Sequence, residues 1–228
     1  MNIKKVVMWS SGYVFKCFLL THLLTYSLTH CLYSEEKMIQ LPQPKLKGTI
    51  SLEETIFKRR SVRNFQNKKL TPEQISQLLW SAQGLTSKMG FRSAPSAGAI
   101  YPVEIYFVSA DGIFHYIPQG HKIEKLKDGD LRTQLSDAAY GQEFISDAGI
   151  SVIICCDYEK IMARYSKRGI RYADMEAGHI AQNIHLQAVA LGLGSVPVGA
   201  FLDTAVTNLL NLPKNLSPIY IIPVGYLK

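Results

Sequence analysis

The segment Arg59-Arg60-Ser61-Val62-Arg63 places three guanidinium groups and one hydroxyl within five residues. A guanidinium group can donate to two phosphate oxygens at once, and a hydroxyl can donate one more hydrogen bond. The segment therefore predicts an anchor for a phosphorylated ligand. The alternative is that these arginines sit at the C-terminal end of a helix, where positive charge is favourable. The rest of the chain has to decide between the two.

The composition is that of a globular protein with an appendage. The chain has 228 residues, of which 47% are hydrophobic and 19% are charged. This is enough for one well-buried domain. The net charge is +7, but the basic residues are scattered, without long runs or zinc-finger spacing. Nucleic-acid binding is therefore not expected. A phosphorylated small molecule explains the arginines more simply.

The N-terminal part differs from the remainder. Residues 1–34 contain two lysines near the start, Lys4 and Lys5, followed by a mostly apolar run over residues 6–33. This pattern predicts a signal peptide or membrane-anchor segment, and with it an exported or cell-envelope location and possible attachment to a membrane. The alternative is a cytoplasmic protein with an N-terminal extension. Residues 35–50, with two prolines and a glycine, predict a linker, and residues 51–228 the main domain.

Helix signals recur through that domain. Ser51 and Glu54 form a capping-box pattern, and the helix that follows is expected to turn Leu52, Ile56 and Phe57 inward. Residues 71–73, Thr-Pro-Glu, predict a second helix start, with an end at Gly84. Further helices are predicted over residues 130–139, 172–193 and 203–210. The longest of these is expected to bury one broad face, which contains Met175, Ile180, Ile184, Ala188 and Leu191.

Strand signals alternate with the helices. Residues 103–108 and 113–117 predict a hairpin around Asp111-Gly112. Residues 150–156 form a nearly continuous apolar run and predict a central strand. Residues 219–224 predict a final strand. Cys155 and Cys156 would point to opposite faces of the central strand, so we expect them to be buried and not bridged to each other.

The segment over residues 93–102 has no regular periodicity and is rich in small residues, with one glycine and two prolines. Small side chains let a ligand approach the backbone closely, and Ser96 adds a hydrogen-bond donor. The alternative is an ordinary surface turn.

Several common functional motifs are absent. Residues 192–199 are rich in glycine but lack the GxGxxG spacing and follow a helix, and the chain contains neither a P-loop nor a GxSxG motif. Glu176 and His179 have the spacing of a helical di-iron site, but no second copy exists, so no metal site is predicted. Backbone-rich loops and an arginine cluster suit a cofactor with a phosphate, a polyol and a flat ring. Such a cofactor carries the redox chemistry itself, so no catalytic side chain is predicted.

These motifs, in this order, resemble those of the nitroreductase family of FMN flavoproteins, over about residues 51–228. The segments that carry the resemblance are residues 59–65 (RRSVRNF), 95–102 (PSAGAIYP), 176–179 (EAGH), 182–183 (QN), 191–194 (LGLG), 197–199 (PVG) and 223–226 (PVGY). The PSAGxxYP and EAGH forms are especially similar to the SagB/ThcOx-type dehydrogenase branch.

The resemblance implies an α+β, nitroreductase-like fold with a mostly antiparallel central sheet flanked by helices. It also implies an intertwined homodimer with FMN at the interface. The residues implied to hold the phosphate and ribityl chain are Arg59, Arg60, Ser61, Arg63 and, near the chain end, Lys228. Those implied to face the flavin from the other subunit are Pro95, Ser96, Ala97 and Gly98. Those implied to border the ring system are Gln142, Pro197, Val198 and Gly199.

The activity implied by the resemblance is that of an FMN-dependent oxidoreductase. It would transfer hydride between NAD(P)H or an organic donor and an organic acceptor. The azoline-oxidising members of the branch share an adjacent Lys-Tyr pair, which this sequence lacks. A stand-alone reductase or dehydrogenase that acts on small molecules is therefore favoured. The alternatives are a flavin-binding protein without turnover and a membrane-attached anion-binding module.

Overall fold

The computed structural model describes residues 38–228. The segment predicted over residues 1–34 lies outside them. The helices are α1 (Leu52–Lys58), α2 (Pro72–Gln83), α3 (Arg132–Ala138), α4 (Phe144–Asp147), α5 (Tyr158–Tyr165), α6 (Arg168–Ala190) and α7 (Asp203–Leu210). The strands are β1 (Met38–Gln40), β2 (Val103–Ser109), β3 (Gly112–Ile117), β4 (Lys122–Asp128), β5 (Ile150–Asp157), β6 (Leu193–Ser195) and β7 (Leu216–Tyr226). A 3-10 turn covers Ala97–Ala99.

The strands form one seven-stranded sheet in the order β1-β4-β3-β2-β5-β7-β6. The strands from β2 to β7 pair antiparallel throughout. The predicted hairpin is β2–β3, with Ser109 opposite Gly112. The predicted central strand is β5, which lies between β2 and β7. The predicted α+β fold with a mostly antiparallel sheet is thus confirmed.

Helices pack on both faces of the sheet because its central strands are apolar on both sides. Along β5, Val152 and Ile154 join the core under α2 and α6, while Ile153 and Cys155 join the core under α3 and α7. This alternation follows from the two-residue period of a strand. Cys155 and Cys156 are buried and free, as predicted.

The start of α2 matches its sequence signal. Thr71 and Gln74 form a complete capping box, with Pro72 in the first turn, and the helix ends at Gly84. On α6, Ile180, Ile184 and Ala188 are buried as expected. Met175 is 47% exposed, contrary to the prediction. Met175 follows the buried Ala173 by two residues, which is a rotation of about 200° around the helix, so it lies on the opposite side.

The prediction for α1 is wrong in its orientation. Ser51 caps the helix by accepting from the Glu54 N–H, as predicted. However, Leu52, Ile56 and Phe57 are 60%, 53% and 76% exposed, and Thr55 is the buried residue of the helix. A helix of seven residues that packs against α6 can bury few positions, and here the buried position is Thr55. The apolar side chains therefore point away from the core of this chain.

The predicted linker and domain boundary also differ from the structure. The compact unit begins at Ile39 and not at residue 51. Leu41 is 5% exposed and belongs to the main core. The Pro42 carbonyl accepts a hydrogen bond from the Ser76 hydroxyl at 2.6 Å. Residues 39–45 are thus fixed to the domain by burial and by hydrogen bonds. No helix within residues 38–228 is long and apolar enough to cross a membrane.

Candidate functional site

The arginine segment is positioned by backbone pairing with the end of the sheet. It leaves α1 and runs beside β6, where Ser61 bridges Ser195 and the Val62 N–H donates to the Ser195 carbonyl at 3.0 Å. Farther along, the Lys228 N–H donates to the Asn64 carbonyl at 3.3 Å. The C-terminal lysine therefore lies next to the arginine segment, although 164 residues separate Asn64 from Lys228 in sequence.

Three cations of this region have no acidic partner in the part of the chain that the structure describes. Among the ion pairs found within residues 38–228, none involves Arg59, Arg63 or Lys228, which we call the cationic cluster. Arg63 and Lys228 are exposed, and the Arg63 guanidinium lies 6.0 Å from the centre of the Phe144 ring in α4. Accessible, unneutralised cations held on paired backbone form a suitable site for an anion.

Arg60 is placed differently from its two neighbours. Its Nη1 donates to the Phe57 carbonyl at 2.9 Å and to the Arg59 carbonyl at 2.7 Å. These acceptors are at the end of α1, where carbonyls lack helical partners. For Arg60, the structure thus matches the alternative interpretation of a helix-end charge. The prediction that it binds phosphate receives no support from this geometry.

Sequence reasoning missed a buried polar contact behind the cationic cluster. His185 of α6 is 3% exposed, and its Nδ1 lies 2.8 Å from the Ser195 hydroxyl. Its Nε2 is buried without a hydrogen-bond partner in the part of the chain that the structure describes. Burial, and secondarily the Arg59 charge, lowers the His185 pKa to about 4. The imidazole is therefore neutral near pH 7 and ties α6 to the strand that holds the arginine segment. In the sequence, the only sign of this contact was that His185 lies on the apolar face of a predicted helix.

Residues 197–200 form a strap next to the same region. Val198 exchanges two backbone hydrogen bonds with Ile221, of 2.8 and 3.0 Å, and Gly199 follows it in an exposed position. The Gln142 side-chain amide donates to the Ala139 carbonyl at 2.7 Å and to the Ala200 carbonyl at 2.9 Å. Gln142 therefore fastens the strap instead of extending freely into the site. Pro197, at the start of the strap, is half-buried.

The remaining predicted residues lie in what we call the small-residue loop, residues 93–101. Gly98, Ala99 and Tyr101 have positive φ angles of 61°, 53° and 51°. A Cβ on Gly98 would lie 2.7 Å from the Tyr165 hydroxyl and 3.1 Å from Nη1 of Arg164. Both the conformation and the close approach favour glycine at this position. Pro95 is exposed, and Ala97 packs against a small core on α5 and α6.

The small-residue loop is fastened by side chains. The Lys160 ammonium donates to the Tyr101 carbonyl at 2.9 Å, and the Asn183 amide donates to the Ser93 carbonyl at 3.3 Å. The Arg92 guanidinium lies 4.7 Å from the centre of the Tyr101 ring. Within residues 38–228, no hydrogen bond or ion pair connects this loop with the cationic cluster. No such contact within these residues therefore joins the two groups of predicted site residues.

The nitroreductase family model matches residues 56–226. The chain belongs to this family. A Methanocaldococcus jannaschii protein, provisionally named a nitroreductase, is 42% identical over 193 residues, which are 82% of this chain and 95% of that protein. The crystal structure of a protein from Ralstonia eutropha, also provisionally named a nitroreductase, has a TM-score of 0.76 and 27% identity. The match covers 84% of this chain and 90% of that one.

Two more distant relatives have specific names. The microcin B17-processing protein McbC of Escherichia coli is 26% identical over 172 residues, and an NADPH-dependent FMN reductase of Bacillus subtilis is 23% identical over 187 residues. These matches cover 69% and 76% of this nitroreductase, respectively. The chain spans slightly less than two thirds of both relatives, namely 63% and 64% of their lengths.

This nitroreductase is an FMN-dependent oxidoreductase, which confirms the predicted class and cofactor. The residues present fit such a cofactor. The cationic cluster offers positive charge that no ion pair within residues 38–228 occupies, as suits a phosphate dianion. The exposed Gly199 permits close approach of a ring to the backbone beside it.

Proposed function

We propose that this nitroreductase transfers hydride from NAD(P)H, or from another organic donor, to an organic acceptor. The observation that carries the proposal is the cationic cluster, which backbone pairing fixes beside the strap and which has no acidic partner within residues 38–228. When bound, FMN supplies a ring that accepts electrons from a donor and passes them on. The protein's contribution is then binding, orientation and electrostatics.

The cationic cluster and Ser61 would hold the phosphate end of the cofactor. Arg59 and Arg63 each offer a guanidinium fork, Lys228 adds a point charge, and the exposed Ser61 hydroxyl adds a donor. The backbone of the segment is already paired with β6, so little order has to be gained on binding. Preorganisation of this kind raises affinity because fewer groups are immobilised in the complex.

The strap would border the flat ring. Its backbone at Val198 is rigid because both polar groups pair with Ile221. Gly199 and Pro197 next to it present backbone without a bulky side chain in the way. Gln142 supports the strap from the α3–α4 side through the Ala200 carbonyl. In this arrangement Gln142 orients the ring-binding backbone and acts through it.

The proposed assembly is a homodimer in which the small-residue loop of one subunit completes the flavin site of its partner. Two observations support it. The loop makes no hydrogen bond to the cationic cluster of its own chain within residues 38–228. In addition, Ile56 and Phe57 of α1 expose apolar surface that a partner subunit would cover. Sedimentation of the wild type as a dimer, and of an Ile56→Glu/Phe57→Glu variant as a monomer with weakened FMN binding, is the expected result. A wild-type monomer that binds FMN fully would contradict the assembly.

The decisive experiment is the visible spectrum of the purified protein, followed by anaerobic titration with NADH and with NADPH. We expect a flavin spectrum that bleaches with at least one donor and recovers when a quinone or a nitroaromatic compound is added. Protein that stays colourless after FMN is supplied would reject the proposal. Bound FMN that no donor reduces would instead favour a flavin-binding protein without turnover.

For residues 1–34 we propose that they direct the enzyme to the cell envelope. A quinone or a protein would then be a more suitable donor than NAD(P)H, which is scarce outside the cytoplasm. Cell fractionation tests this, since recovery of the whole chain in the cytoplasm would remove the reason for a donor other than NAD(P)H.

A further inference from the structure

A carboxyl group is buried between α6 and the small-residue loop. Glu176 is 1% exposed. Its Oε1 accepts a hydrogen bond from the Gln83 amide at 3.2 Å, and its Oε2 is buried without a partner among the described residues. Burying a charged carboxylate that is not fully satisfied is costly, whereas a protonated carboxyl is much cheaper to bury. None of the flavin-binding roles proposed above uses this group.

The groups around Glu176 come from every element packed against it. Gln83 lies at the end of α2, and Arg92 and Ser96 belong to the following loop. Lys160 of α5 and the thiol of Cys156 in β5 are the other titratable neighbours. Burial is the largest effect and raises the Glu176 pKa. The nearby Ser96 hydroxyl, the hydrogen bond from Gln83 and the charges of Arg92 and Lys160 oppose it without cancelling it.

These neighbours connect Glu176 to both ends of the small-residue loop. Gln83 donates to Glu176 and accepts from the Arg92 guanidinium at 3.2 Å. The Arg92 N–H in turn donates to the Tyr101 hydroxyl, also at 3.2 Å. Glu176 thus lies at the inner end of a chain of hydrogen bonds that reaches both ends of the loop. Within the loop, the Tyr101 N–H donates to the Ser96 hydroxyl at 2.9 Å.

The loop needs such support because its backbone is strained. Ala99 and Tyr101 adopt positive φ angles of 53° and 51°. A residue other than glycine held in this region costs on the order of 1–3 kcal/mol and persists only when its surroundings impose it. Strain of this kind is concentrated at ligand-binding segments.

We propose that Glu176 is a positioning residue whose buried carboxyl holds the small-residue loop in its strained, ligand-binding conformation. The role deepens the proposed function, on which its flavin-binding consequence rests. Glu176 acts through the Gln83–Arg92 pair, and it does not itself contact the reacting atoms.

The dependence on pH has a definite sign. A carboxyl whose pKa is raised on folding stabilises the folded loop at low pH, and this contribution is lost as the pH rises through the folded pKa. Deprotonation would leave a buried charge with one oxygen unpaired. The loop should therefore loosen on the alkaline side.

The test measures hydrogen–deuterium exchange of peptides covering residues 93–101 in the full chain without added FMN, from pH 5 to pH 8, after correction for intrinsic rates. In the wild type we expect protection of these amides to fall by about tenfold as the pH rises. Glu176→Gln should keep the protection at all pH values because it is neutral and isosteric. Glu176→Ala should lose it at all pH values. Glu159→Gln, at an exposed position of α5, is the matched control and should behave as the wild type.

Peptides from β5 report whether each variant is folded, and the FMN dissociation constant is measured over the same pH range. Equal loss of loop protection in Glu176→Gln and Glu176→Ala, with β5 intact, would overturn the proposal, as would unchanged protection in Glu176→Ala. If Glu176→Ala does not fold, Glu176→Gln alone decides. Loop protection in Glu176→Gln that does not change with pH supports the role, and protection that falls as the pH rises overturns it. The expected exchange pattern in a protein that never binds FMN would support the positioning role and contradict only the proposed flavin site.

Discussion

The cationic cluster and the small-residue loop are ordered by opposite means. The cluster is carried on backbone that pairs with β6, and its charged ends form no ion pair within residues 38–228. The loop has a strained backbone, and the exposed Lys160 and the half-buried Asn183 fasten it to α5 and α6. A region of the first kind should tolerate loss of a side chain without structural damage, while losing ligand affinity. A region of the second kind should lose its structure first.

The largest expected effect tests the first half of this comparison. Arg59→Ala/Arg63→Ala should weaken FMN binding by at least tenfold. Each lost charge-assisted hydrogen bond costs about 1.5–3 kcal/mol, which is roughly 10- to 150-fold in the dissociation constant. Titration of FMN by fluorescence measures the change. The unfolding free energy of the protein without FMN should change little. Unchanged FMN affinity would show that the cluster does not bind the phosphate.

Glycine substitutions test the second half. Gly98→Ala should destabilise the protein more than Gly90→Ala, although both glycines have positive φ angles, of 61° and 85°. Alanine in this conformation costs about 1–2 kcal/mol at either position. Only at Gly98 would the new Cβ also approach another group, the Tyr165 hydroxyl at 2.7 Å, so that this side chain has to move and the loss increases. Denaturant unfolding of both variants measures the difference, and equal losses would show that the loop is not tightly packed there.

The contact between His185 and Ser195 gives a pH-dependent test of the cluster's support. Because burial lowers the His185 pKa to about 4, only the unfolded state takes up this proton as the pH falls from 6.5 toward 4. Stability should therefore drop over that interval, by on the order of 2 kcal/mol. Thermal or denaturant unfolding as a function of pH measures it.

His185→Asn should flatten this part of the pH profile while keeping a partner for Ser195. The pKa of His121 is also lowered by burial, but that residue is present in both proteins, so their difference isolates His185. His179→Gln, on the exposed side of α6, is the matched control. Identical profiles for the wild type and His185→Asn would contradict the assignment.

The smallest expected effect concerns Arg60. Because its Nη1 is engaged by two carbonyls at the end of α1, Arg60→Ala should change FMN affinity by less than about threefold. It should cost the protein about 0.3–1 kcal/mol, the usual value of a helix-end charge. The same FMN titration checks it, and a loss as large as that of Arg63→Ala would place Arg60 in the cluster after all.

Features with a local signal were predictable from the sequence. The helix start at Thr71, the β2–β3 hairpin and the apolar strand β5 each depend on residues close together in sequence. The order of loops and glycines indicated the family. By contrast, β4 was missed because its sequence, KIEKLKD, is strongly charged, and only its pairing with β3 makes it a strand.

Features that depend on distant partners were not predictable. The contact of Glu176 with Gln83 spans 93 residues, and that of Asn183 with Ser93 spans 90. No sequence periodicity or motif indicates such pairs. The predicted orientation of α1 was wrong for a related reason. Its apolar residues have helical spacing, but spacing does not tell whether the surface that covers them belongs to the same chain.

The position of β7 has a consequence for the order of folding. This strand is the last in sequence, yet it lies inside the sheet between β5 and β6 and also meets the residues that flank the arginine segment. While the chain is being synthesised, the apolar edge of β5 stays open until β7 has left the ribosome. An unpaired edge of this kind invites pairing with other chains. Chaperone binding to nascent chains should therefore persist until the final strand emerges, and the arginine segment can reach its native place only after that.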